Sequence, residues 1–180
     1  INYYFNGLNT YGYHIVNILI HILNTSLIYL LIQITLNRLK DIDLRHKTQD
    51  TRLKFGVLSL NYLDYLPFIV SLIFLVHPIQ TQAVSYITQR FTSLATLFYL
   101  LALVLYVKYR LWAMGDGQWE KPITYYLSPI AYFLSLILAI LAMKTKEISW
   151  TLPFIILLYE FIFLSHASSR TTHHTSRTTV

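Results

Sequence analysis

The sequence predicts an all-α, polytopic bundle of about five membrane-spanning helices, and three observations carry that prediction. Hydrophobic residues make up 55% of the 180 positions and charged residues only 12%, against roughly 25% charged in soluble domains. The apolar residues fall in blocks rather than in amphipathic alternation, and a block of about 17–25 apolar residues is what a helix needs to cross the hydrocarbon core. Lysine and arginine concentrate between alternate blocks, the distribution that orients polytopic chains.

Residues 1–12 mix aromatic and polar side chains, among them Tyr3, Tyr4, Phe5, Asn6, Asn9 and Tyr11, which suits the water–lipid boundary. No methionine opens the chain, and its start has neither the basic residues nor the apolar core of a signal peptide. An upstream start of the natural protein is therefore expected. The first span is expected over 13–36, and its first half carries His14, Asn17, His21 and Asn24. At about 100° per residue these four fall in an arc of about 80°, one polar face on an otherwise apolar helix. Such a face either hydrogen-bonds a neighbouring helix or lines a cavity, and the spacing leaves both open.

Residues 37–59 form the most charged segment, with Arg38, Lys40, Arg45, Lys47, Arg52 and Lys54 against Asp41, Asp43 and Asp50. It is expected to be cytoplasmic. A second span over 58–76 follows, with Asp64 as an interfacial carboxylate. His77-Pro78 should end it, because proline lacks an amide hydrogen and disfavours helix in the residue before it. Further spans are expected over 91–111, 123–143 and 148–164. The segment 165–180 is biased to Ser, Thr, His and Arg, a composition that cannot bury a core, and is expected to be a disordered polar tail.

Five spans place the two ends on opposite sides. Eleven of the 14 lysines and arginines then lie in the loops 37–59 and 108–123 and in the tail, which orients the tail to the cytoplasm. The other three, Arg90, Lys144 and Lys146, remain on the non-cytoplasmic face with His14, His77 and Glu147. Three cations on the disfavoured side ask for a local reason. Arginine can bind phosphate oxygens through two parallel hydrogen bonds and lysine acts as a compact charge, so the three can hold a lipid phosphate or diphosphate. The plainer alternative is contact with anionic headgroups or with Glu147. Glu147 can in turn serve as a base, a metal ligand or the acidic residue at a helix start. His77 with His14 and His21 makes a metal site only if the helices converge. No cofactor is called for by these residues, and a divalent cation stays an open alternative.

No cysteine is present, so thiol chemistry and disulfides are excluded. The chain has no phosphate-binding glycine loop, dinucleotide fingerprint, serine elbow or HExxH pattern. Cytosolic nucleotide chemistry finds no support, and the net charge of +6 reads as a topology signal rather than as a sign of nucleic-acid binding.

Three blocks carry a resemblance: HIVNILIHILNTSLIYLL (14–31), FLVHPIQTQAVSYITQRFTSLATLFYLLALVLY (74–106) and LAMKTKEISWTLPFIILLYE (141–160). In order and spacing they resemble the membrane part of the tetratricopeptide-repeat O-mannosyltransferase-like proteins, polytopic GT-C glycosyltransferases. The family pattern is H-x-x-N-x-x-x-H, then H-P-I-H-T-E-A-V followed by Arg, then S-K-E with a proline soon after. His14, Asn17, His21, His77, Pro78, Arg90, Lys146 and Glu147 match it. Gln80 stands where the family has His, and Gln82 where it has Glu. Both departures remove a titratable group and weaken an acid, base or metal role for that loop.

The resemblance implies transfer of a sugar, mannose in the eukaryotic members, from a polyprenyl-phosphate donor to a protein or glycan acceptor. The reaction would run on the non-cytoplasmic face of a bacterial inner membrane or an endoplasmic reticulum membrane. It implies donor-phosphate contacts from Arg90, Lys144 and Lys146, a site lined by His14, Asn17, His21, His77, Gln80, Gln82 and Glu147, and a catalytic aspartate upstream of Ile1. The chain is thus expected to be a fragment of such an enzyme, without its first span and first outer loop and without the repeats that follow. Two rival readings are a transporter or channel with a path lined by His14, Asn17 and His21, and a non-catalytic membrane scaffold.

Overall fold

A computed structural model of the chain describes residues 11–47, 63–81, 90–113 and 122–164, and these are all-α. The five helices are α1 (Tyr11–Lys47), α2 (Leu66–Val76), α3 (Arg90–Ala113), α4 (Pro122–Thr145) and α5 (Leu152–Tyr159). Single 3₁₀ turns at Pro78–Gln80 and Glu147–Thr151 follow α2 and α4, and a π turn at Glu160–Leu164 continues α5. The segments 1–10, 82–89 and 165–180 lie outside the described residues, so the interfacial start, Gln82 and the polar tail do too.

Among the described residues two helices are long and apolar enough to cross a membrane: Tyr11–Lys40 within α1, and α3. Leu66–Val76 and Pro129–Thr145 are shorter apolar helices. At 1.5 Å per residue α2 is about 17 Å long, roughly half of a hydrocarbon core. Residues 58–62 of the expected second span lie outside the described set. α1 runs past its apolar part into the charged segment as far as Lys47, since Asn37–Lys47 has no proline or glycine to stop it.

Proline placement explains two helix starts. Pro67 and Pro153 sit in the first turns of α2 and α5, where the missing amide hydrogen has no partner to lose. His77 ends α2 with extended backbone (φ −59°, ψ 128°), as a residue before proline should.

Successive helices alternate in direction, and α3 lies at the centre against α1, α4 and α5. The α3–α4 seam is the most extensive, because small residues let the backbones approach. Ala95 and Ala102 of α3 are buried, as are Ala131, Ser135, Leu138 and Ala142 at helical spacing on α4. Ser135 donates to the Ala102 carbonyl at 2.9 Å, satisfying its hydroxyl inside the seam. A second cluster joins Leu103 and Val107 to Tyr159, with Leu31, Ile34, Ile156 and Phe163 around them. Thr35 and Tyr159 hydroxyls share a 2.8 Å hydrogen bond across α1 and the end of α5.

The outer faces are apolar. Phe68, Ile73 and Val76 on α2, Ile130, Phe133 and Ile140 on α4, and Phe154, Leu157 and Phe161 on α5 and its π turn are more than half exposed. A seam of small residues beneath large outward-facing apolar ones is suited to lipid, where association of helices rests on close packing rather than on hiding apolar surface.

Candidate site at the Arg90 end of the bundle

The alternation of helices brings the start of α1, the end of α2, the start of α3 and the end of α4 to one end of the bundle. His14, Asn17, His77, Gln80, Arg90, Lys144, Lys146 and Glu147 therefore share that end.

Three of the four polar residues on the α1 face are buried: Asn17 (0% exposed), His21 (7%) and Asn24 (3%). Each faces a neighbouring helix. Asn17 Oδ1 accepts a hydrogen bond from Arg90 Nε at 3.3 Å. His21 Nε2 lies 3.2 Å from the Leu75 carbonyl, one of the last carbonyls of α2, which have no partner inside their own helix. The imidazole also packs tilted against Phe74, with ring centroids 5.5 Å apart. Asn24 Nδ2 donates to the Ser93 carbonyl at 3.1 Å. Of the two roles the spacing left open, helix-to-helix hydrogen bonding is the one these contacts describe for His21 and Asn24. His14 is half-buried.

Arg90 opens α3. Its guanidinium carbon lies 4.9 Å from the centroid of the Tyr13 ring, a cation–π distance, while Nε is tied to Asn17. The adjacent Nη2 is buried and has no hydrogen-bond partner among the described residues. Two residues on, Thr92 Oγ1 accepts from Lys146 Nζ at 2.7 Å. The first turn of α3 thus carries Arg90, held by α1, and meets Lys146 from the end of α4. Neither makes an ion pair among the described residues; both are met by neutral oxygens.

Lys144 is exposed in the last turn of α4, where a cation complements the helix dipole. Lys146 has extended backbone (φ −154°, ψ 139°), which turns the chain out of α4 and starts the 3₁₀ segment. Glu147 lies in the first turn of that segment, exposed, and forms no ion pair with Lys144 or Lys146. The helix-start reading of Glu147 fits this place; the ion-pair reading does not.

After α2, His77 Nδ1 accepts from the Ile79 amide at 3.2 Å, so that nitrogen is occupied as a local cap. Thr81 Oγ1 donates to the Pro78 carbonyl at 2.7 Å, and the Gln80 amide donates to the His77 carbonyl at 2.9 Å. The turn is held by its own side chains and backbone. Gln80 is half-buried. Among the described residues, no three His, Asp or Glu side chains gather closely enough to hold a metal ion together.

Two contributors were not singled out by sequence reasoning. Tyr13 lies four residues before Asn17, on the same helix face, and that spacing is a signal which could have found it. Thr92 offers no such signal, since its partner stands 54 residues away.

The opposite end is organised differently. Arg110 near the end of α3 forms a two-point ion pair with Glu160 at the start of the π turn, and Tyr106 Oη donates to the same carboxylate at 3.2 Å. Lys40 pairs with Asp64, consistent with Asp64 as an interfacial carboxylate.

No protein-family model matches the chain, and no solved structure does. The chain is similar to a protein O-mannosyl-transferase of Caenorhabditis elegans, with 33% identity over 112 residues, which is 61% of this chain and 13% of that protein. The matched part is thus about an eighth of that protein's length. The resemblance read from the three sequence blocks stands in this form: a distant and partial similarity to a protein O-mannosyl-transferase.

Proposed function

We propose that the chain is part of an integral membrane glycosyltransferase. It transfers a mannose-like sugar from a polyprenyl-phosphate donor to a protein or glycan acceptor on the non-cytoplasmic face of the membrane. All five helices belong to the membrane domain in this reading, and the loops after α2 and α4 face away from the cytoplasm. Arg90, Lys144 and Lys146 meet the donor phosphate, and His14, Asn17, His21, His77, Gln80, Gln82 and Glu147 border the site.

The observation that carries the proposal is that Arg90 and Lys146, at the same end of the bundle, are each held by a neutral oxygen. Neither charge is cancelled by a carboxylate among the described residues, which leaves both for an anionic ligand. Distant similarity to a protein O-mannosyl-transferase supports the sugar chemistry. The departing lipid phosphate gains negative charge as the sugar leaves, and preorganised cations lower the energy of that step.

The test is Arg90→Ala in the full-length protein. Transfer from a polyprenyl-phosphate sugar should fall at least about a hundredfold, the scale of losing one electrostatic contact in an active site, while membrane insertion is retained. Unchanged turnover in that variant removes the phosphate role.

A further inference from the structure

We infer that Asn17 is a positioning residue, with Tyr13 as its second support, that fixes the Arg90 guanidinium for an anionic oxygen without neutralising it. The inference rests on the reading of Arg90 as a phosphate contact and adds how that contact is prepared.

An arginine side chain at a helix start is free to sample many rotamers, and binding must then order it. Here two groups one helical turn apart on α1 remove that freedom. Asn17 Oδ1 accepts from Nε at 3.3 Å, and the Tyr13 ring lies beneath the guanidinium at 4.9 Å. Asn17 is fully buried, so its carbonyl oxygen is fixed by the bundle. The amide is neutral: a carboxylate at position 17 would hold Arg90 equally well but would cancel its charge. Buried Nη2 is left beside the occupied Nε with no acceptor among the described residues. A buried donor without an acceptor is costly, and a phosphate oxygen meets both the hydrogen bond and the charge.

The experiment measures the affinity of the full-length protein, in phosphatidylcholine nanodiscs, for a polyprenyl monophosphate, across Asn17→Ala, Asn17→Asp, Arg90→Ala and the Asn17→Ala/Arg90→Ala pair. Asn17→Ala should weaken binding about tenfold, the scale of a charge-assisted hydrogen bond, and should add nothing once Arg90 is gone. Asn17→Asp, which preserves shape and acceptor, should weaken it at least as much. Asp binding like the native protein, or equal losses from Asn17→Ala in both backgrounds, would show Asn17 to be a packing residue only. Native affinity in Asn17→Ala beside a large loss in Arg90→Ala would overturn the positioning role and leave the phosphate reading intact. No loss in Arg90→Ala would overturn the phosphate reading itself. Should Asn17→Ala fail to fold, the isosteric Asn17→Asp decides alone.

Discussion

Two cations at each end of the bundle are held in contrasting ways. At one end Arg110 and Lys40 meet carboxylates, Glu160 and Asp64. At the other, Arg90 and Lys146 meet an amide oxygen and a hydroxyl. Cations of the first kind are satisfied inside the protein, and their charge is cancelled where it stands. Those of the second kind are held in place with the charge intact. Only the second arrangement leaves charge for a partner from outside, and the difference cannot be read from how many basic residues each end contains.

Substitutions can break or sharpen this contrast. The largest effect is expected at Glu160, because Arg110 is only about a third exposed and depends on it. Glu160→Ala should cost about 2 kcal/mol in thermal unfolding in detergent micelles, less than a fully buried pair because water still reaches both partners. Replacing the pair together, Glu160→Leu with Arg110→Met, should recover most of that loss; a double variant as unstable as the single one would show that the π turn itself needs Glu160. At the α3–α4 seam, Ala102→Leu should cost about 1–3 kcal/mol by overpacking a fully buried position, read in the same assay.

A smaller effect is expected where α1 meets α2. His21→Phe keeps the ring beside Phe74 but loses the bond to the Leu75 carbonyl, which should cost about 1 kcal/mol. Hydrogen exchange at the last turn of α2 should rise selectively; uniform exchange across the bundle would contradict a local capping role. Smallest of all, Arg90→Met should cost less than about 1 kcal/mol in unfolding, since removing a buried donor with no described acceptor offsets the bond lost from Asn17. A loss as large as that of Glu160→Ala would abolish the contrast between the ends.

Much of the helical architecture was legible. Apolar blocks located the helices, and Pro78 marked the end of α2 at His77. The polar face of α1 was legible as a face, because side-chain spacing at 14, 17, 21 and 24 is a local property of a helix. Its partners were not, since Leu75, Ser93 and Arg90 stand 54 to 73 residues further on. That Arg90 and Lys146 share one end of the bundle followed from alternating helix direction alone. The Arg110–Glu160 pair was missed for a reason of the same kind: Arg110 read as a loop residue and Glu160 as the end of a span, and only the parallel run of α3 and α5 brings them together. Glu147 misled in the other direction, since adjacency to two lysines suggested pairing where the chain turns them apart.

The polar face of α1 also has a consequence in time. Chains are made at about 5–20 residues per second, so the arginine that meets Asn17, 73 residues downstream, emerges about 4–15 s after it. In a membrane, α1 must wait through that interval with Asn17, His21 and Asn24 turned toward lipid or toward the insertion machinery. Quality control that recognises polar groups at membrane depth would find α1 before its partners do. Variants that slow the arrival of α3 should therefore lower yield even where the finished bundle is as stable as before.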